Sequence, residues 1–176
     1  MKYDLEYFDK MLRKNSGTAK RISKIRWKFI SRVDPELVLD YGSGVGWFRA
    51  FKPEGITVDT YDIGEYTQTG IQHSYYDVVC FWDVLEHIHS MKEIESILTK
   101  TRNIALTTPI KPKKQNLKTW KHFKPEEHLN YFTGESLNET FEKYDFVFLT
   151  GGYLECPPRK DIFSAIYTKM RKVILE

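Results

Sequence analysis

"LVLDYGSGVGWF", Leu37 to Phe48, sets an apolar run ending in Asp40 directly before three glycines at alternate positions, Gly42, Gly44 and Gly46. A short apolar run of this kind reads as a buried strand, and the change of pattern at Gly46 reads as the start of a helix. A strand entering a helix through glycines puts backbone N–H groups and a helix N-terminus at the C-terminal edge of a parallel sheet, where open α/β folds bind ligands. Glycine is needed where the chain turns sharply or where a side chain would block the ligand. A Walker loop is excluded, because no Gly-Lys-Ser/Thr follows. The G-x-G-x-x-G fingerprint is incomplete: Trp47 stands in its third position, with Gly46 one residue early.

Outward from this stretch, short apolar runs alternate with helical patterns. Strands are expected at Leu37–Asp40, Thr57–Tyr61, Asp77–Trp82, Asn103–Thr107, Phe146–Thr150 and Ile162–Thr168, and helices at Gly46–Phe51, Met91–Lys100 and Gly134–Lys143. The alternation predicts a mostly parallel sheet with helices on both faces. "SMKE", with Ser90 and Glu93, is a capping-box start for the Met91 helix. The last two strands have no helix between them, so an antiparallel pair is expected at one edge. Only fourteen residues, Ile63 to Tyr76, separate Asp62 from Asp77. A crossover helix with its loops takes about 10–12 residues, so a further strand and its helix are expected to be short or absent, with no regular helix in "GEYTQTGIQHSYY". Ahead of the sheet, helices are expected at Tyr3–Lys14 and Thr18–Arg32, divided by "NSG", whose Gly17 suits a helix stop. In the second, Ile22, Ile25, Phe29, Ile30 and Val33 form an apolar stripe opposite Arg21, Lys24 and Lys28.

The second strand supplies a partner for the glycines. "ITVDTYDI" ends in Asp62, twenty residues beyond Gly42, where a carboxylate accepts hydrogen bonds from ribose hydroxyls. Asp59 is the competing acid, but it falls nearer the middle of the strand.

In order along the chain, "VLDYGSGVGWF", "YDI", "YDVVCFWDVLEHI" and "HLNYFTGESLNETFEKYDF" resemble successive motifs of the class I S-adenosylmethionine-dependent methyltransferases, and most of all the methyltransferase-domain groups with a D-V-L-E-H segment. The similarity runs from about Leu37 to Thr150. It implies a Rossmann-like fold, S-adenosylmethionine as cofactor, and a set of cofactor-binding residues. Gly42, Gly44 and Gly46 would wrap the methionine portion, with Asp40 orienting its ammonium group. Asp62 would hold the ribose, while Phe81, Trp82 and Asp83 would line the sulfonium side. The acid that usually contacts adenine falls in the shortened gap, where Gln72 is the obvious polar substitute.

For a hydroxyl acceptor a base is useful, and histidine suits that work near neutral pH. "DVLEHIHS" puts Asp83, Glu86 and His87 on one turn leaving the sheet edge, and His128 in "EEHLNYF" follows a connection that folds over the active site in the resembling families. His87 and His128 are the expected catalytic residues; structural packing and capping are the competing roles. Some RNA 2′-hydroxyl methyltransferases have a similar E-x-x-E-H segment with a later histidine, which raises a divalent metal at Asp83, Glu86, His87 and His128. This chain has Asp in the first place and lacks their surrounding pattern, so no metal is expected.

"IKPKKQNLKTWKHFKP", Ile110 to Pro125, carries six lysines, one histidine, two aromatics and no acid. A solvated loop is one reading. As part of an insertion at 110–132 covering the acceptor, it would favour an anionic one. Its lysines, interleaved with Trp120 and Phe123, also have the composition that grips single-stranded nucleic acid, a partner less favoured than a small or anionic acceptor. No Asn-Pro-Pro-Tyr or Asp-Pro-Pro-Tyr segment supports DNA base methylation.

With 176 residues, 41% hydrophobic and 29% charged, the chain is expected to form one domain, 1–176, with residues 1–33 as a helical extension. The net charge of +3 names no polyanionic partner. "MKYDLEYFDK" lacks the apolar core of a signal peptide, no apolar run reaches membrane-spanning length, and Cys80 and Cys156 set neither a disulfide framework nor a zinc spacing, so a cytoplasmic setting is expected. The sequence therefore favours methyl transfer from S-adenosylmethionine to oxygen of a small or anionic acceptor. An NAD-dependent oxidoreductase and a non-catalytic cofactor-binding module are the alternatives.

Overall fold

Val38, Leu39 and Asp40 are buried on consecutive positions of β1 (Leu37–Tyr41), so both faces of this strand are covered. In the computed structural model, which describes residues 16–64, 69–156, 159 and 161–170, β1 lies inside a six-stranded sheet. The other strands are β2 (Thr57–Tyr61), β3 (Tyr76–Trp82), β4 (Thr101–Pro109), β5 (Phe146–Gly152) and β6 (Ile162–Lys169), in the order β2-β1-β3-β4-β6-β5. β2, β1, β3 and β4 are parallel, and β6 runs antiparallel to both of its neighbours, giving the expected reversed pair at one edge.

The sheet carries two cores. On one face α1 (Ser16–Ile30) and the short α2 (Trp47–Ala50) pack Trp27, Ile30 and Phe48 over Val38, Val78, Cys80 and Trp82. On the other, α3 (Lys92–Leu98) and α4 (Gly134–Glu142) bring Ile94, Leu98, Leu137 and Phe141 against Leu39, Val79, Phe81, Ile104 and Tyr167. The stripe of α1 differs from the expected one. Ser23 and Trp27 are buried, whereas Ile22, Ile25 and Val33 are half-buried. Trp27 turns the helix: its ring stacks on Phe48 at 4.1 Å, and its Nε1–H donates to the Phe48 carbonyl at 2.9 Å. The buried indole N–H thereby keeps its hydrogen bond. Gly17 is helical within the described part of α1; the expected helix at Tyr3–Lys14 lies outside the described residues. At α3 the Glu93 carboxylate accepts the Ser90 N–H at 2.9 Å, one half of the expected box, while Ser90 Oγ accepts from Lys92 rather than from Glu93. α4 has a capping box that the sequence reading passed over, between Thr133 and Ser136.

The sheet is trimmed beyond β2. Among the described residues of the short gap there is no helix, and the outer edge of β2 meets only an isolated bridge, Thr60 to Gly70. Asp59 fastens this segment. Its buried carboxylate accepts from Tyr76 Oη at 2.6 Å, His73 Nδ1 at 2.9 Å and the Gln72 amide at 2.9 Å. Burial raises its pKa, but these hydrogen bonds outweigh that and hold it below the usual carboxylate value.

Candidate active site

The glycine loop forms because its backbone requires it. Gly42, Gly44 and Gly46 have φ of 78°, 52° and 78°, a region that L-residues rarely occupy. At Gly42 a Cβ would also meet the Val84 side chain at 2.4 Å. The loop is anchored from β2, where the Tyr61 carbonyl accepts the N–H groups of Gly42 (2.7 Å) and Ser43 (3.1 Å). Asp62 fastens the loop itself: its carboxylate accepts from Gly44 N–H at 2.7 Å and from Gly64 N–H at 2.9 Å. Gln72 turns its amide onto the Thr69 carbonyl at 2.5 Å.

Asp40 stands at the end of β1 beneath this loop, 1% exposed, with neither carboxylate oxygen hydrogen-bonded. Desolvation lifts its pKa to about 7, partly offset by the Arg26 charge. A buried carboxylate in that condition lacks a cation or donor, and the ammonium of a bound methionine moiety is of the right chemistry. The loop and Asp40 therefore fit the cofactor that the sequence resemblance implies.

Phe81, Trp82 and Asp83 end β3 on three different surroundings. Phe81 is fully buried on the α3–α4 face, 5.4 Å from the Tyr41 ring. Trp82 points to the opposite face, between Phe48 and the Arg26 guanidinium, 4.9 Å from its ring. Asp83 adopts φ of 60° and turns the chain out of the strand. It is gripped by Arg26 at 3.0 Å and by Arg159 through two hydrogen bonds, 2.9 and 2.7 Å. The buried Glu155 completes a ring, accepting from Arg26 at 2.6 Å and Arg159 at 2.5 Å. Burial disfavours the Asp83 anion, but the two guanidinium groups overcome this and keep its pKa low. Sequence reading missed Arg26, Glu155 and Arg159. The signal for Arg26 was available: it sits four residues after Ile22 and three before Phe29, a charge inside the apolar stripe.

Beyond Asp83, the 84–88 turn meets the segment after the lysine-rich stretch. Leu129 and Asn130 N–H groups donate to the Glu86 carbonyl at 2.7 and 3.1 Å. The Asn130 amide donates to the Leu85 and Ile88 carbonyls at 3.0 and 2.6 Å. Segment 110–132 closes on itself, with Lys111 N–H donating to the Phe132 carbonyl at 2.8 Å and Trp120 buried within it. A pocket of about 270 Å³ results, lined by Asp83, Glu86, His87, Lys124, His128 and Arg159 among others. Glu86 is buried, accepts from the Thr108 hydroxyl at 3.1 Å, and has its pKa raised by desolvation and by the nearby Asp83 charge. Desolvation lowers the pKa of His128, keeping it neutral near physiological pH. The His87 and His128 rings stand 4.9 Å apart. The structure thus brings the two histidines and Glu86 together across forty-one positions, and leaves Asp83 with its arginines.

Residues 12–150 match a family described as a methyltransferase domain. No curated protein matches the chain. Among solved structures, the Burkholderia thailandensis 1,6-didemethyltoxoflavin-N1-methyltransferase, bound to its namesake compound and S-adenosylhomocysteine, is 16% identical with a TM-score of 0.64, covering 90% of this chain and 81% of that one. The Synechocystis PCC 6803 magnesium protoporphyrin IX methyltransferase with bound S-adenosylhomocysteine is 17% identical, with a TM-score of 0.64 and 87% and 84% covered. The 16S rRNA methylase ArmA is 17% identical, with a TM-score of 0.53 and 93% and 91% covered.

Proposed function

The chain belongs to the methyltransferase domain family, and we propose that it transfers the methyl group of S-adenosylmethionine to an oxygen of a small or anionic acceptor. The observation that carries the acceptor class is the pocket of about 270 Å³ beyond β3, where three imidazoles, His87, His122 and His128, meet Lys124, Arg159 and the carboxylates of Asp83, Glu86 and Glu127. That volume lies near the lower end of small-molecule sites, about 300 Å³, and suits a compact ligand better than a polymer.

S-adenosylmethionine, when bound, supplies an electrophilic methyl on a sulfonium, so the protein's work is binding and alignment. Asp40 receives the ammonium group, and the Gly42–Gly46 backbone lets the methionine portion approach. Asp62, which already orders Gly44, is assigned to the ribose. Phe81 and Trp82 act behind the site through packing, and Asp83 holds Arg159 at the pocket wall. Segment 110–132 covers the acceptor, and His87 and His128 act on its hydroxyl. The free thiols of Cys80 and Cys156 suit the cytoplasm as the setting. Among the described residues no helix is long and apolar enough to cross a membrane.

Two measurements test this. S-adenosylhomocysteine should raise the melting temperature by mass action, and NAD should not; the reverse pattern would reject the cofactor. Incubation of the protein with methyl-labelled cofactor and a cell extract should place label in a ribonuclease-resistant, low-mass fraction. Label recovered in RNA would overturn the acceptor class.

A further inference from the structure

We infer that Glu86, His87 and His128 bind one divalent transition-metal cation at the wall of the acceptor pocket. The inference deepens the proposed function and relies on it only for the use made of the cation: the two imidazoles act on the acceptor oxygen through the metal rather than by direct proton abstraction.

One donor atom from each residue lies within 4.8 Å of the others. Tetrahedral ligands with bonds of about 2.1 Å stand about 3.4 Å apart, so modest side-chain rotation closes the set. The imidazoles are oriented for it. His87 Nδ1 lies 2.8 Å from the Glu127 carbonyl, and His128 Nδ1 lies 2.9 Å from the His122 carbonyl. A carbonyl only accepts, so both rings carry their proton on Nδ1 and the lone pair on Nε2. Metal-binding histidines are fixed in this way, by a carbonyl or carboxylate behind the ring. The rings meet at 76° with centroids 4.9 Å apart, edge to face rather than stacked.

The surroundings support a preformed site. Hydrogen bonds from Leu129 and Asn130 to the 85–88 turn fix the relative placement of the two contributing segments. Thr108 orients the buried Glu86 carboxylate. The neighbouring cations are matched: Lys124 pairs with Glu127 at 3.1 Å, and Arg159 pairs with Asp83 and Glu155. Asp83 is held by those arginines and is left out of the ligand set. Two imidazoles and one carboxylate suit zinc, iron or manganese rather than magnesium or calcium, and leave positions for an acceptor oxygen.

Coordination lowers the pKa of an acceptor hydroxyl, whose proton passes to water. The resulting oxyanion attacks the methyl carbon, the carbon–sulfur bond breaks, and its electron pair stays on sulfur. The products are the O-methylated acceptor and neutral-sulfur S-adenosylhomocysteine.

The test uses the untagged full chain, stripped with chelator and titrated with Co²⁺ by calorimetry and visible absorption, with S-adenosylhomocysteine titrated into the same stripped protein. One Co²⁺ per chain is expected, with d–d bands and displacement by Zn²⁺. His128→Gln and Glu86→Gln should each weaken Co²⁺ at least about tenfold, whereas His89→Gln, on an exposed residue, should not. X-ray absorption of the Co²⁺-loaded wild-type protein should count two imidazoles, so the inference does not depend on a variant folding. No stoichiometric uptake, equal affinity in folded His128→Gln and wild type, or a sulfur ligand would overturn it. Failure of the stripped protein to bind S-adenosylhomocysteine would instead reject the cofactor reading. Full methyl transfer by metal-free protein would overturn only the metal.

Discussion

Asp40 and Asp83 end neighbouring strands, β1 and β3, and are treated in opposite ways. Asp40 is 1% exposed with no hydrogen-bond partner, and Asp83, about one-quarter exposed, is held by two arginines. Arg26 separates the two cases, because it bonds Asp83 directly and reaches Asp40 only through its field. Burial of a carboxylate costs free energy unless something compensates it. For Asp83 the compensation is internal, so this end of the site is rigid before any ligand arrives. For Asp40 the compensation is absent from the chain, which is the condition expected of a residue that meets a cationic group from outside.

Asp83→Ala should have the largest effect. It strips an anion from Arg26 and Arg159 and leaves their charges crowded beside Glu155. A loss of about 2–4 kcal/mol is expected, read as a fall of about 6–12 °C in melting temperature by scanning calorimetry. A variant that melts with the wild type would show that the ring does not hold Glu155 and Arg159 to the end of β3.

Asp40→Asn should move stability in the other direction. An acid whose folded pKa lies above its unfolded value binds its proton more tightly when native, so its stabilising effect is greatest below the unfolded pKa. That contribution is lost as pH rises to the folded value of about 7. The cofactor-free variant should therefore melt about 4–8 °C above wild type near pH 8, with the gap closing towards about pH 4. Its affinity for S-adenosylhomocysteine should fall. A pH-independent gap would mean that Asp40 is not buried as a strained acid.

Asp62→Ala sharpens the same contrast at the loop. It should weaken S-adenosylhomocysteine about tenfold by calorimetry, or about 1.4 kcal/mol, while lowering stability by about 1 kcal/mol through the lost Gly44 and Gly64 bonds. Unchanged affinity would confine Asp62 to ordering the loop. The smallest effect is expected from His73→Ala, which removes one of three bonds to Asp59. Denaturant unfolding should report a loss of about 0.5 kcal/mol with cofactor affinity intact, since that carboxylate is fully employed in closing the trimmed sheet edge.

Strands, their order of appearance, the missing edge and the reversed final pair could all be read from the chain. Apolar runs, glycine turns and a gap too short for a crossover are local properties, and each constrains the backbone within a few residues. The glycine loop and Asp40 were legible for the same reason: "LVLDYGSGVGWF" contains the strand, the positive-φ positions and the acid in one stretch. The acceptor end was legible only as residue types. His87 and His128 stood out, but Arg26, Glu155, Arg159 and Asn130 did not, because, apart from the Glu155–Arg159 pair, their partners lie 42 to 129 positions away. Sequence spacing carries no information about such meetings until β6 reverses between β4 and β5 and α1 docks across β3. Asp83 shows the consequence most clearly. As a sequence position it could have faced the cofactor, a metal or an arginine, and only the tertiary arrangement, by placing it between two guanidinium groups, made electrostatic pairing the state of lowest free energy.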